Sequence, residues 1–161
     1  MITIRKLTDD DWALWRKLRQ SALADAPDAF GSTLAEWTGD GDVEVRWRAR
    51  LVSVPFNVVA ARYGRPIGMV SGTAPLGGEV QLISMWVAPA DRGSGVGEAL
   101  VEAVVRWALD MEANGIALHV RPSNDRAVRF YLRNGFFDDG LTSNPDLTHP
   151  ERRMVRRFTP Q

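Results

Sequence analysis

Ile2, Ile4 and Leu7 frame a short first strand. Thr8 and the three aspartates after it offer a helix N-cap and first-turn carboxylates, which favour the positive end of a helix dipole. Trp12, Trp15, Leu18 and Ala22 then recur at helical spacing, predicting a helix that ends before Pro27. Phe30 to Trp37 is ambiguous, with a short helix as one reading. Val43, Trp47 and Leu51 share one face of a further helix. After Pro55 the period changes from helix to strand. Residues 56–63 and 67–73 read as a hairpin around Gly64-Arg65-Pro66, and 80–87 as a long strand that stops before Pro89. Val96, Leu100, Ala103, Val104, Trp107, Ala108 and Met111 predict a long helix, with Asn114-Gly115 as its left-handed cap. A strand over 116–120, a helix over 125–133 closed by Asn134-Gly135, a loop-rich stretch from Phe136 and a last strand over 154–158 complete the chain. The expected fold class is α/β (α+β): one domain over residues 1–161, with helices flanking a mixed sheet.

Composition narrows the chemistry. The 161 residues hold 45% hydrophobic and 25% charged side chains, an ordinary globular mixture that excludes wholesale disorder. The absence of cysteine removes disulfides, thiolate nucleophiles, zinc–thiolate sites and iron–sulfur clusters together. Two histidines, His119 and His149, do not make a three-histidine metal site, so no metal is expected. Twenty basic and twenty acidic residues leave no net charge, which argues against nucleic acid or an anionic membrane as a partner. No stretch approaches the roughly 18 apolar residues of a membrane span, and the start of the chain resembles neither a signal peptide nor an anchor. A cytoplasmic location is expected. Every basic residue except Lys6 and Lys17 is arginine, which reads as the coding bias of a GC-rich bacterium.

The most informative segment is Val87-Ala88-Pro89-Ala90-Asp91-Arg92-Gly93-Ser94-Gly95-Val96-Gly97-Glu98-Ala99, where a buried strand gives way to a glycine-rich turn and a long helix. Helix N-termini leave amides unpaired and carry partial positive charge, so they suit phosphate, and glycines let the backbone approach it. A Walker loop needs Gly-Lys-Ser/Thr, and both lysines lie before residue 18. The dinucleotide pattern needs glycine at Glu98. By itself the segment also reads as a glycine-rich connection that holds no ligand.

Arg92-x-x-Gly95-x-Gly97 resembles the acetyl-CoA loop of the GNAT superfamily of N-acetyltransferases, whose pattern is Arg/Gln-x-x-Gly-x-Gly/Ala. Downstream, Asn124 and Ala127-x-x-Phe130-Tyr131-x-x-x-Gly135-Phe136 resemble that family's second signature, in which Phe or Leu precedes the tyrosine. The two matches span about residues 80–137. The resemblance implies a mostly antiparallel central sheet and acetyl-CoA as co-substrate. It implies that backbone groups around Trp86 and Val87 hold the pantetheine arm and polarise the acetyl carbonyl. Amides of Arg92, Gly93, Ser94, Gly95, Val96 and Gly97, with Glu98 and Ala99 at the helix start, would cradle the pyrophosphate. Asn124, Ala127 and Phe130 would complete the cofactor wall. Tyr131 would act as general acid toward the departing CoA thiolate. Each has a plainer reading beside it: Arg92 as a loop shaper, Asn124 as a helix N-cap, Tyr131 as a core aromatic. Met85, Trp86 and Trp107 read as packing residues.

The implied activity is transfer of an acetyl group from acetyl-CoA to a primary amine by direct attack in a ternary complex. The absence of cysteine agrees with direct transfer. Many family members carry a glutamate base where this chain has Gln81. Glu79, two residues earlier, is the candidate base, with His119 and a water chain as alternatives. The lack of the usual glutamate also motivates a second reading, an acyl-CoA-binding sensor with little catalysis. Asp25, Asp28, Phe30, Glu36, Trp37, Asp40, Asp42, Asp138, Asp139 and Asp146 would give an acidic, aromatic acceptor site for a cationic small-molecule or peptide amine. Arg152, Arg153, Arg156 and Arg157 read as solvated charge on an edge strand, and exposed sheet edges make a homodimer an expectation.

Overall fold

A computed structural model describes residues 1–27, 29–30, 32–143 and 150–159 of the chain. Seven strands form one sheet: β1 (Ile2–Lys6), β2 (Phe56–Arg62), β3 (Arg65–Gly72), β4 (Glu79–Val87), β5 (Gly115–Val120), β6 (Phe137–Ser143) and β7 (Glu151–Arg157). Their spatial order is β1-β2-β3-β4-β5-β7-β6, and β4–β5 alone among these pairs is parallel. Four helices flank the sheet: α1 (Trp12–Asp25), α2 (Glu44–Ser53), α3 (Val96–Asp110) and α4 (Asp125–Arg133). The result is the expected mixed fold with a mostly antiparallel sheet. None of the helices among the described residues is long and apolar enough to cross a membrane.

Strand alternation sorts the core into two layers. In β2, Phe56, Val58 and Ala60 pack with α3, while Val59 points the other way, toward Trp15, Leu18 and Ala22 of α1 and Trp47 and Leu51 of α2. Thr8 and Asp11 form a reciprocal cap at the entry to α1, Thr8 N–H donating to Asp11 Oδ2 at 2.9 Å. Across the sheet, Leu100, Val101 and Val104 of α3 are fully covered.

Several local expectations shift. The β2–β3 hairpin turns on Tyr63-Gly64, both at positive φ, so Arg65 and Pro66 belong to β3, with Pro66 tolerated beside a bulge. Glu112 rather than Asn114-Gly115 takes the left-handed conformation after α3, and Gly115 already belongs to β5. Between Phe30 and Trp37 the helical content is one 3-10 turn, Ala35–Trp37. The stretch from Phe136 holds strand β6, which covers the outer edge of β7. Arg153 is therefore no solvated edge charge: it pairs with Glu79 at 2.7 Å and with Asp139 at 2.6 Å. Arg152 and Arg156 likewise pair with Asp138 and Glu102.

One irregularity shapes the functional end. β4 pairs with β5 only through Glu79, Val80 and Gln81, and beyond that the two strands diverge. On its other edge β4 bulges against β3, with Ser84 at a φ of 56°. From Leu82 to Val87, one edge of β4 faces an opening instead of a neighbouring strand.

Candidate functional site

Two cavities fill that opening. The first, of about 500 Å³, runs beside the α3 N-terminus and is walled by Trp86 and Val87 of β4, the glycine turn and α4. The second, of about 350 Å³, lies toward α1 and α2. Tyr131, Met85, Ala29 and Phe30 line both.

The turn is built from conformations that suit glycine. Gly93 and Gly95 have φ values of 78° and 91°, and a Cβ on either would project into open space. Gly95 caps α3, leaving the first helical amides, those of Val96, Gly97 and Glu98, without intrahelical partners. Gly97 meets a different demand: a Cβ there would fall 2.8 Å from the Phe130 ring, so the two sequence motifs touch. Arg92 donates to the Val87 carbonyl at 3.0 Å and to Asp25 at 2.7 Å, and Asp25 also accepts from the Trp86 indole at 3.0 Å. These bonds tie the end of α1, the end of β4 and the turn together. The Trp86 N–H, and then the Arg92 guanidinium, hold the Asp25 carboxyl below the usual carboxylate range.

Of the residues expected around the cofactor, Trp86, Val87, Arg92, Gly93, Gly97, Glu98, Asn124, Ala127, Phe130 and Tyr131 line the first cavity. Ser94, Gly95, Val96 and Ala99 do not. The Ser94 hydroxyl donates to the Asp91 carbonyl, Val96 is buried in the core, and the Ala99 amide already donates to the Gly95 carbonyl at 3.1 Å. Asn124 caps α4 by accepting from the Ala127 amide at 3.3 Å, and the same side chain lines the groove. Arg126 and Arg133 of α4 also line it, two cations that sequence reasoning missed. Their seven-residue separation on one helix face was the available signal.

Tyr131 is 8% exposed, and its ring packs edge-on against Phe130 and Phe136. Burial pushes its phenol above the ordinary value near 10, so the group holds its proton across the neutral range. Glu79 lines neither cavity. Both its oxygens accept from Arg153, at 2.8 and 2.7 Å, and it sits at the opposite end of β4 from Trp86. Gln81 lines neither cavity and pairs with Ala117 in β5.

Among the described residues, the acidic acceptor wall does not assemble. Asp25 belongs to the first cavity, Glu36 accepts from Thr33, and Asp40 is exposed. Asp42 is held by Arg16 at 2.5 Å and by the Trp47 indole at 2.8 Å, and Arg16 first, then Trp47, draws its carboxyl far below the usual range. Asp138 and Asp139 face Arg152 and Arg153. Trp37 packs against Trp47 with centroids 4.4 Å apart and the rings tilted by 39°. Asp28, Asp146 and His149 lie outside the described residues. The second cavity is lined instead by Arg19, Arg50, Ser84, His119 and Glu151 among others, with Phe30 at its border. Neither arginine was anticipated. The signal was their position inside the apolar stripes of α1 and α2, beside Leu18 and Leu51.

Comparison with known proteins agrees with the geometry. The acetyltransferase (GNAT) family model matches residues 10–136. Aminoglycoside N(6')-acetyltransferase type 1 of Stenotrophomonas maltophilia is 32% identical over 135 residues, covering 83% of this chain and 85% of that protein. Peptidyl-lysine N-acetyltransferase YjaB of Salmonella typhimurium is 27% identical over 154 residues, 93% of each chain. The PaiA N-acetyltransferase of Thermoplasma acidophilum, solved in complex with coenzyme A, superposes with a TM-score of 0.77 at 15% identity, covering 98% of this chain and 99% of that one.

Proposed function

Because the chain belongs to the acetyltransferase (GNAT) family and is an acetyl-CoA-dependent acyltransferase, we propose that it moves the acetyl group directly to a primary amine, with residues 1–161 acting as one domain. The observation that carries this reading is Tyr131, a buried phenol on the wall shared by two cavities, one suited to the cofactor and one to the acceptor.

The residues fit the cofactor. Amides of Gly97 and Glu98, at the positive end of α3, would receive phosphate oxygens, and the side-chain-less face of Gly93 would leave room for them. Arg126 and Arg133 add positive charge along the same groove. The unpaired edge of β4 at Met85–Val87 offers main-chain groups to the pantetheine arm. When bound, acetyl-CoA supplies an activated acetyl group: an amine nitrogen forms the new C–N bond as the C–S bond breaks, the amine gives up a proton and sulfur gains one. Tyr131 holds the proton destined for sulfur. Burial keeps it protonated; because a thiol near 8.5 is the stronger acid, the transfer to sulfur is uphill by itself and proceeds only together with acyl transfer and the return of a proton from solvent to the phenolate oxygen. Glu79, bonded twice to Arg153, is not assigned as base, and the amine proton leaves through the second cavity to solvent.

The relatives that act on a peptidyl lysine and on an aminoglycoside support an amine acceptor. The deciding experiment is Tyr131→Phe. Its kcat should fall by about 100-fold while acetyl-CoA affinity is retained. Full turnover by that variant removes the proposed acid.

A further inference from the structure

The second cavity carries a charge pattern that the acyl transfer reading leaves unused. Arg19 of α1 and Arg50 of α2 both line it. Arg19 is 8% exposed, its guanidinium lies 4.6 Å over the Phe30 ring, and its Nη1 is buried without a hydrogen-bond partner. Arg50 donates to Asn57 at 3.0 Å and to the hydroxyls of Ser71 and Ser84 at 3.1 Å each. Asn57 and Ser71 are in turn locked to each other at 2.6 Å. All three acceptors are neutral. Among the described residues, no carboxylate forms an ion pair with either guanidinium. Burial lowers both arginines to about 10, and for Arg50 the neighbouring Arg19 charge acts in the same direction. Both remain cationic at neutral pH.

Buried cations are normally paired, because the loss of water is otherwise uncompensated. Here the fold holds one buried and one half-buried guanidinium beside one another at a cavity, and it leaves the Arg19 Nη1 buried without a partner. Resting on the acetyltransferase reading above, we propose that the acceptor is a small amine that also bears a carboxylate, an amino acid or a close analogue, and that Arg19 and Arg50 receive the carboxylate. The planar guanidinium fork of Arg19 matches a carboxylate, and the bonds that Arg50 donates to Asn57, Ser71 and Ser84 fix its charge in place before the ligand arrives. The cavity's volume of about 350 Å³ suits a small molecule. Tyr131 and Met85, on the wall shared with the cofactor groove, face the end at which the amine must lie. His119 and Glu151 complete the titratable lining from β5 and β7. A polycation would instead bring like charge against two desolvated arginines.

The test follows CoA thiol release by the full-length chain with acetyl-CoA and the standard amino acids, their carboxamides, their aminophosphonate analogues, spermidine and kanamycin. At least one amino acid should be acetylated with kcat/KM about 100-fold above that of its carboxamide. Arg19→Met should narrow this acid-over-amide preference to below about tenfold, with acetyl-CoA affinity shifting by about twofold or less. If that variant does not fold, the acid and amide comparison on the unaltered chain decides alone. Equal use of acid and amide, preference for spermidine or kanamycin, preference for the phosphonate, or no turnover of any amino acid overturns the inference. Acetyl-CoA binding, read by thermal shift on the same preparation, separates these outcomes from failure of the acyl transfer reading itself.

Discussion

The groove beside α3 and the cavity behind Tyr131 share a wall but draw on different parts of the chain. The groove draws on main chain, in a glycine turn, the first amides of a helix and a strand edge without a neighbour, together with side chains of α4. Its residues cluster in three short segments, around 25–30, 85–98 and 124–133. The cavity is made of side chains from α1, α2, β4, β5, α4 and β7, brought together only by the packed sheet. Backbone recognition serves one invariant ligand, whereas side-chain recognition can be changed residue by residue. Under the proposed function, this division separates a common cofactor from a particular acceptor.

The comparison can be broken or sharpened by substitution. The largest effect is expected at the shared wall, where Tyr131→Phe should cost about 100-fold in kcat with both KM values nearly unchanged. Because burial raises the phenol above 10, kcat of the unaltered chain should show no loss from its ionisation up to about pH 10. A pH profile checks this. At the cap of α3 that shapes the groove, Gly95→Ala places a Cβ at a φ of 91°, a left-handed strain of about 1–2 kcal/mol, and should weaken acetyl-CoA about tenfold in titration calorimetry. The acceptor KM should stay put. If both KM values rise together, the two cavities are not separable.

Asp25→Asn should have a smaller effect, about threefold on acetyl-CoA affinity, because the Arg92 ion pair that braces the turn is partly exposed. Smallest in activity is the effect of Asp42→Asn, away from both cavities, whose cost is to stability. The Asp42 carboxyl is depressed when folded, so its stabilisation is fully present above the unfolded value near 3.9 and is lost as pH falls below it toward the folded pKa. Thermal melts of the unaltered chain should therefore drop below about pH 4, and the variant should show a shallower drop.

The same contrast explains what could be read from residues alone. The helix over 125–133 coincides with α4, because Asn124, Gly135 and a strong amphipathic period all act locally. The strand β6 escaped notice because Asp138-Asp139-Gly140 carries no apolar alternation, and its charges are matched by arginines on β7. The glycine turn was legible because positive φ leaves a mark on sequence. The Arg19 and Arg50 pair was not, because its meaning comes from which helix faces meet which strand. An arginine in an apolar stripe has no stated partner until the layers are stacked. The acidic loops misled for the converse reason: composition counts carboxylates but not the arginines and indoles that already occupy them.

The 2.8 Å approach of the Phe130 ring to the missing Cβ of Gly97 makes two separate-looking motifs a single unit of inheritance. Alanine is ordinarily the better helix former by about 1 kcal/mol, yet here its Cβ collides with the ring. Alanine at 97 and a smaller residue at 130 should thus be acceptable together where alanine alone is not. A double-mutant cycle with Gly97→Ala and Phe130→Leu should give a coupling of about 0.5 kcal/mol or more. Across homologous chains, the two positions should then vary in concert, a covariation imposed by one contact and not by shared chemistry.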